Sequence, residues 1–209
     1  MSRKVKIAAS AVIVSLLCVG SGLAWLFLFR HPGTLPLGET PAIGLPLYDF
    51  SHNNMIGGFG NIHRLDNTTY YHNGIDFSVN GTTNFVCPFS AYVDEVRTWF
   101  NDKGGHWQTN VRLWINSQWA IEIIFESWAL NETYGNLEAD AVSVVLGQLV
   151  VANQTVGNLL VFGNGAHVHF GVLSNSNAIC PYNVFTPSAK ATFATQFYKV
   201  NSTPSWYMP

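Results

Sequence analysis

Two short stretches carry the side chains best suited to chemistry. The first is "HNGIDF", residues 72–77, which sets His72 and Asp76 four apart around Asn73-Gly74. The second is "GAHVHFGV", residues 165–172, with His167 and His169 two apart. Imidazole nitrogens and a carboxylate oxygen together make a donor set suited to zinc. On a strand His167 and His169 share one face, and Val168 and Phe170 take the core side. A strand beginning at Gly74 likewise puts Asp76 and Ser78 opposite Ile75, Phe77 and Val79. Were it straight back to His72, that ring would lie about 13 Å from Asp76 along the same face. Zinc–ligand bonds are only about 2.0–2.2 Å long, so one ion could not take both. Asn73-Gly74 is a strong tight-turn sequence, and a bend there brings His72 back beside Asp76. The stretch alone is a metal site or a turn entering an ordinary strand. The second histidine pair tilts the reading toward metal.

These residues need a scaffold, and the chain from about Met55 supplies strand signals. "GIDFSV", "AYVDEVRTWF", "NVRLWIN", "WAIEIIFESW", "VSVVLGQLVV" and "HVHFGVL" alternate or run apolar, and "NDKGG", "NSQ" and "GNG" are turn chemistry between them. No stretch after residue 30 carries a long stripe of helical period. The reading is an all-β domain over 56–190, an antiparallel sheet or sandwich. "ATFATQFYKV" reads as a strand or a short helix. Residues 30–55 hold four prolines and read as an extended tether or a strap over the domain, and 191–209 as a tail.

The N-terminus is a different kind of segment. "MSRKVK" precedes an uncharged run from Ile7 to Phe29, closed by Arg30. At about 1.5 Å per residue that run matches a hydrocarbon core of roughly 30 Å. It exceeds the apolar stretch of about 7–15 residues in a cleaved signal peptide, so an uncleaved transmembrane anchor is expected. The three basic residues ahead of it place residues 1–6 in the cytoplasm and the rest outside the cell. Cys18 lacks the small preceding residue that lipoprotein processing prefers.

Net charge is −2 and charged residues make up 11%, with no basic cluster beyond the first six residues, so nucleic acid is excluded as a partner. An outside location agrees with five N-x-[ST] sequons, at Asn67, Asn80, Asn131, Asn153 and Asn201. It also suggests a disulfide between Cys87 and Cys180, the two cysteines beyond the anchor.

The motifs resemble those of the lysostaphin/LytM-type zinc endopeptidases. That family carries H-x-x-x-D ahead of a strand and H-x-H in a segment like "TGxHLHFEV"; here they are "HNGIDF" and "NGAHVHFGV". "GGFGNIHR", "FVCPFSAYVDEV" and "VVLGQLVVANQTVG" resemble three further family blocks, in the same order, over roughly residues 56–187. The resemblance implies one zinc per chain, held by His72, Asp76 and His169, with His167 catalytic. It also places the strand of Cys87 beside the segment of Cys180.

One departure stands out. The family's other catalytic histidine lies in a strand ending "Y-A-H-L", and the matching strand here, "WAIEIIFESWAL", has none. The place falls on Glu126 or Ser127, depending on a one-residue register choice. Glu126 is the expected replacement, as a general base; the bland alternative is an exposed or capping glutamate. His106, in "KGGHWQ", reads as a loop histidine in solvent that could rim the cleft. The resemblance thus implies a membrane-anchored zinc endopeptidase acting on cell-wall or envelope peptides. The alternative is a catalytically silent zinc-binding member that binds wall peptide or a partner protein.

Overall fold

A computed structural model describes the backbone of residues 33–65 and 68–201. The expected anchor at 7–29, its flank at 1–6 and Asn67 lie outside the described residues. No helix among the described residues is long and apolar enough to cross a membrane.

Among the described residues, twelve strands run in chain order as β1 (Asn53–Gly57), β2 (Ile62–Leu65), β3 (Thr68–Tyr71), β4 (Ile75–Val79), β5 (Thr83–Val86) and β6 (Ala91–Asn101). They continue as β7 (His106–Trp114), β8 (Trp119–Ala129), β9 (Leu149–Val150), β10 (Thr155–Leu159), β11 (His167–Ser174) and β12 (Asn177–Ile179). Helices α1 (Glu132–Asp140) and α2 (Pro187–Val200) complete the fold with a 3-10 turn at Pro181–Val184. The main sheet has the order β1-β4-β11-β8-β7-β6-β9, with β12 also on β11, and its pairings are antiparallel. The expected all-β antiparallel core is present.

Alternation drives the sheet's inner face. Ile75 and Phe77 of β4, Val168 and Phe170 of β11, and Ile123 and Phe125 of β8 are fully buried. Their neighbours in sequence point the other way, toward the face that carries the titratable groups. "VSVVLGQLVV" departs from expectation, since only Leu149–Val150 and a bridge at Val142 are paired. The segment after Gly33 is a strap whose Ile43, Leu45 and Leu47 are buried in the same core. "ATFATQFYKV" lies in α2, which buries Ala189, Phe193 and Phe197. Those three are four residues apart, so they fall on one helix stripe. Thr186 caps this helix by accepting the Ala189 N–H at 3.1 Å.

The expected disulfide is absent, and Cys87 and Cys180 are free buried thiols. Each sulfur is committed to its own local backbone. The Cys87 thiol donates to the Phe89 carbonyl at 2.8 Å, while Cys180 sits where the 3-10 turn begins, its sulfur met by the Tyr182 and Asn183 amides. An exported compartment permits a disulfide without orienting two Cβ atoms toward each other. Burial pushes the Cys87 thiol up to about 11 and raises Cys180, which keeps both as poorly reactive thiols. Thiol titration is expected to find both in the denatured chain and neither in the folded one; loss of this pair from the denatured count would restore the disulfide.

Of the sequon residues, Asn80 is exposed and Asn131 caps α1 by accepting the Tyr134 N–H. Asn153 accepts from Tyr48, and Asn201 bonds the Ile56 backbone in both directions.

Candidate metal centre

Strand register brings the site together. Asp76 on β4 lies directly across from His169 on β11, and His167 lies directly across from Glu126 on β8. Such cross-strand neighbours on one face have Cβ atoms about 4.5–5.5 Å apart, within reach of each other's side chains.

His72 arrives by another route. The chain leaves β3 at Tyr71, and His72 exchanges backbone hydrogen bonds with the 60–61 segment before the chain bends into β4. The bend falls at Gly74, which lacks the left-handed φ of a tight turn glycine. Its requirement is space. A Cβ on Gly74 would lie 2.5 Å from His169 Nε2 and 2.7 Å from the Phe170 carbonyl oxygen. Gly74→Ala is therefore expected to shift β11 or the His169 ring, costing about 1–3 kcal/mol of stability and weakening zinc binding at least ~10-fold. Thermal melts and a zinc titration check this, and a variant matching the unaltered protein in both would refute it.

Three donor atoms converge. His72 Nε2, Asp76 Oδ1 and His169 Nδ1 form a triangle with every side 3.0 Å. In a tetrahedral zinc site with bonds of about 2.0–2.1 Å the ligand atoms stand roughly 3.3–3.4 Å apart. A few tenths of an ångström separate this cluster from that spacing. The His72 tautomer also suits a ligand. Its Nδ1–H donates to the Gly58 carbonyl at 2.8 Å, which leaves Nε2 as the nitrogen that faces the triangle. Burial disfavours charge here, yet hydrogen bonds from His169 and His72 hold Asp76 far below the ordinary carboxylate range. For His72, burial lowers the pKa, and Asp76 more than offsets it. Two imidazoles, one carboxylate and this spacing fit a divalent ion.

A second chain of polar groups leads away from the triangle. His167 Nε2 is 3.9 Å from Asp76 Oδ1 and 3.5 Å from Glu126 Oε1. Its Nδ1–H donates to the Gly165 carbonyl at 2.7 Å, so Nε2 is the nitrogen that faces the cleft. On the far side, Glu126 Oε2 is 2.6 Å from His106 Nε2. His106 Nδ1 in turn lies 3.0 Å from the Gly104 carbonyl oxygen. Burial lowers the His106 pKa, but its bonds to Glu126 and the Gly104 carbonyl, both acceptors, raise it on balance and favour the charged ring. The pKa shifts agree. Burial opposes charge on Glu126, but His106 and His167 bring it down to about 2. Burial likewise opposes charge on His167, and Glu126 and Asp76 push it up to about 9.

Sequence reasoning left two choices here that the structure decides. Glu126, half of the register alternative, faces the cleft, and Ser127 is fully buried behind it. His106, expected in solvent, is 3% exposed, begins β7 and stacks on Trp128 with ring centroids 4.4 Å apart. The signal that could have found it was "HWQTNVRLW", whose alternating pattern starts at the histidine itself.

No protein-family model matches the sequence, and no curated protein matches it either. Solved structures do match in shape. The SpoIIQ–SpoIIIAH pore-forming complex contains a chain that aligns with a TM-score of 0.52 at 16% identity, over 74% of this chain and 97% of that one. A zinc-containing peptidase from Vibrio cholerae aligns with a TM-score of 0.49 at 20% identity, over 68% of this chain and 39% of that one. The catalytic domain of the antimicrobial peptidase lysostaphin from Staphylococcus simulans gives 0.42 at 19% identity, over 64% and 97%. At such identities the likeness speaks for the fold alone.

Proposed function

We propose that this chain is a zinc-dependent endopeptidase, anchored in the cell membrane by residues 7–29 and acting outside the cell on cell-wall or envelope peptides. The observation that carries the reading is the 3.0 Å triangle of His72, Asp76 and His169 with His167 beside it. When bound there, zinc supplies Lewis-acid polarisation of a peptide carbonyl and acidifies a water. The protein's own groups then manage protons. His167 Nε2, aimed at the cleft by the Gly165 carbonyl, holds a proton that it can give up and recover. The Glu126 carboxylate beside it stabilises that imidazolium. Glu126 is already bonded to two imidazoles and ionised, so it serves as the charge partner of His167 rather than as a free base. His106 from β7 holds the opposite oxygen of that carboxylate. The imidazole missing from β8 is thereby offset by one from the neighbouring strand, coupled through Glu126.

A metal analysis of the purified ectodomain, followed by digestion of mixed wall peptides, tests the reading. One zinc per chain and cleavage are expected; a metal-free protein that cleaves nothing would overturn it. The second reading, a silent zinc-binding member that docks a partner, draws support from the absent β8 histidine. The match to a chain of the SpoIIQ–SpoIIIAH complex is compatible with it. One bound zinc without hydrolysis would favour that reading.

A further inference from the structure

Behind the cleft, β8 breaks its ladder with β7. Trp107 pairs with Ala129 and Thr109 with Phe125, so three residues of β8 oppose a single one of β7. Glu126, Ser127 and Trp128 make up this bulge. Trp128 has a φ of 63°, in the left-handed region that a bulky side chain rarely enters. Its ring lies where a Cβ on Gly165 would approach to 2.4 Å, and it stacks on His106. The bulge opens at Glu126, which keeps the outward place that alternation along β8 gives it and pairs with His167 on the other side.

Backbone groups expelled from a ladder need partners elsewhere. Ser127 finds both. Its carbonyl accepts the Phe162 N–H at 2.9 Å, and its N–H donates at 2.6 Å to Glu138 Oε2. Glu138 comes from α1, packed against β7 and β8, and both Glu138 and Ser127 are 0% exposed. A carboxyl group is a costly occupant of a core unless it does something there.

We propose that Glu138 is a positioning residue of the candidate site, clamping the β8 bulge through the Ser127 N–H and so holding Glu126 between His106 and His167. The inference rests on Glu126 belonging to the working site, as read above. Glu138 is fully buried and meets the bulge at the Ser127 N–H, so it acts through the backbone. Burial pushes it up to about 7, against hydrogen bonds from Ser127 and Thr109 that lower it, and nearby Glu126 adds to the rise. A neutral carbonyl oxygen can accept the Ser127 N–H as well as a carboxylate can, so Glu138→Gln should keep the clamp and Glu138→Ala should lose it.

The test reads the His106–Glu126 bond directly. In the unaltered protein the His106 Nε2 proton, held in a 2.6 Å bond, is expected as a slowly exchanging, downfield imidazole resonance, assigned by its loss in His106→Gln. Glu138→Gln retains this signal. Glu138→Ala, folded by circular dichroism, loses it and keeps full zinc stoichiometry. Its kcat falls about 10–100-fold with KM little changed, the scale of losing an outer-shell partner. If Glu138→Ala does not fold, Glu138→Asp replaces it, its shorter side chain unable to reach Ser127. A folded Ala or Asp variant that keeps the resonance overturns the proposal, as does an unaltered protein that lacks it. Neither outcome depends on hydrolysis, so a failed peptidase reading remains distinguishable from a failed clamp.

Discussion

Alanine at His72, Asp76 or His169 is expected to remove stoichiometric zinc from the protein. Each residue contributes one corner of a 3.0 Å triangle, and among the described residues the cluster has no fourth member to take over. Loss of an outer-shell partner alone typically costs a metal site about 10–100-fold in affinity, so deletion of a ligand should exceed 100-fold. Dialysis followed by elemental analysis measures this, with His167→Ala as the contrast that keeps its metal. Full zinc retention by His169→Ala would remove the ligand assignment. The fold should survive these changes, because none of the three side chains belongs to the apolar core.

Glu126→Gln should leave zinc in place and lower turnover by about 10²–10⁴-fold, the usual worth of a positioned proton-transfer system. The amide keeps the shape of the side chain but removes the charge that lies between His106 and His167. His167→Ala should lower turnover by a similar factor, and the double variant should lose little more than either single one, since the two act as a unit. Additive losses would show that Glu126 and His167 work independently. Undiminished hydrolysis by Glu126→Gln would leave His167 to act without a charge partner. The pH dependence separates the roles further. Glu126 lifts the pKa of His167, so its removal should move any activity limb that reports His167 toward lower pH.

Much of this molecule was legible in the residues. The alternating runs around Phe77, Phe125 and Phe170 specify strands because a one-residue slip would turn each apolar set into solvent. The same alternation put Asp76 on one face of its strand and His167 and His169 on one face of theirs. Helix α1 was missed, since its buried face is Gly135 and Glu138 and neither is an apolar signal. The burial of α2 was missed because Ala189, Phe193 and Phe197 form a stripe only one residue wide.

What remained open depended on contacts between distant segments. Sequence alone determined the ligand types, the strand faces of Asp76, His167 and His169, and a bend near Gly74. It left Glu126 or Ser127 for the family's histidine place because that match turned on a one-residue register, whereas in the structure β8 alternates through both and buries Ser127. It read His106 as a solvent residue, because a histidine beside glycines carries no mark of the carboxylate it will meet. It paired Cys87 with Cys180 from their compartment, whereas thiol pairing requires two side chains to face each other. Only the tertiary structure decided these points, because each turns on how separate strands and a helix pack, and pairing registers are set by the whole sheet rather than by any one segment.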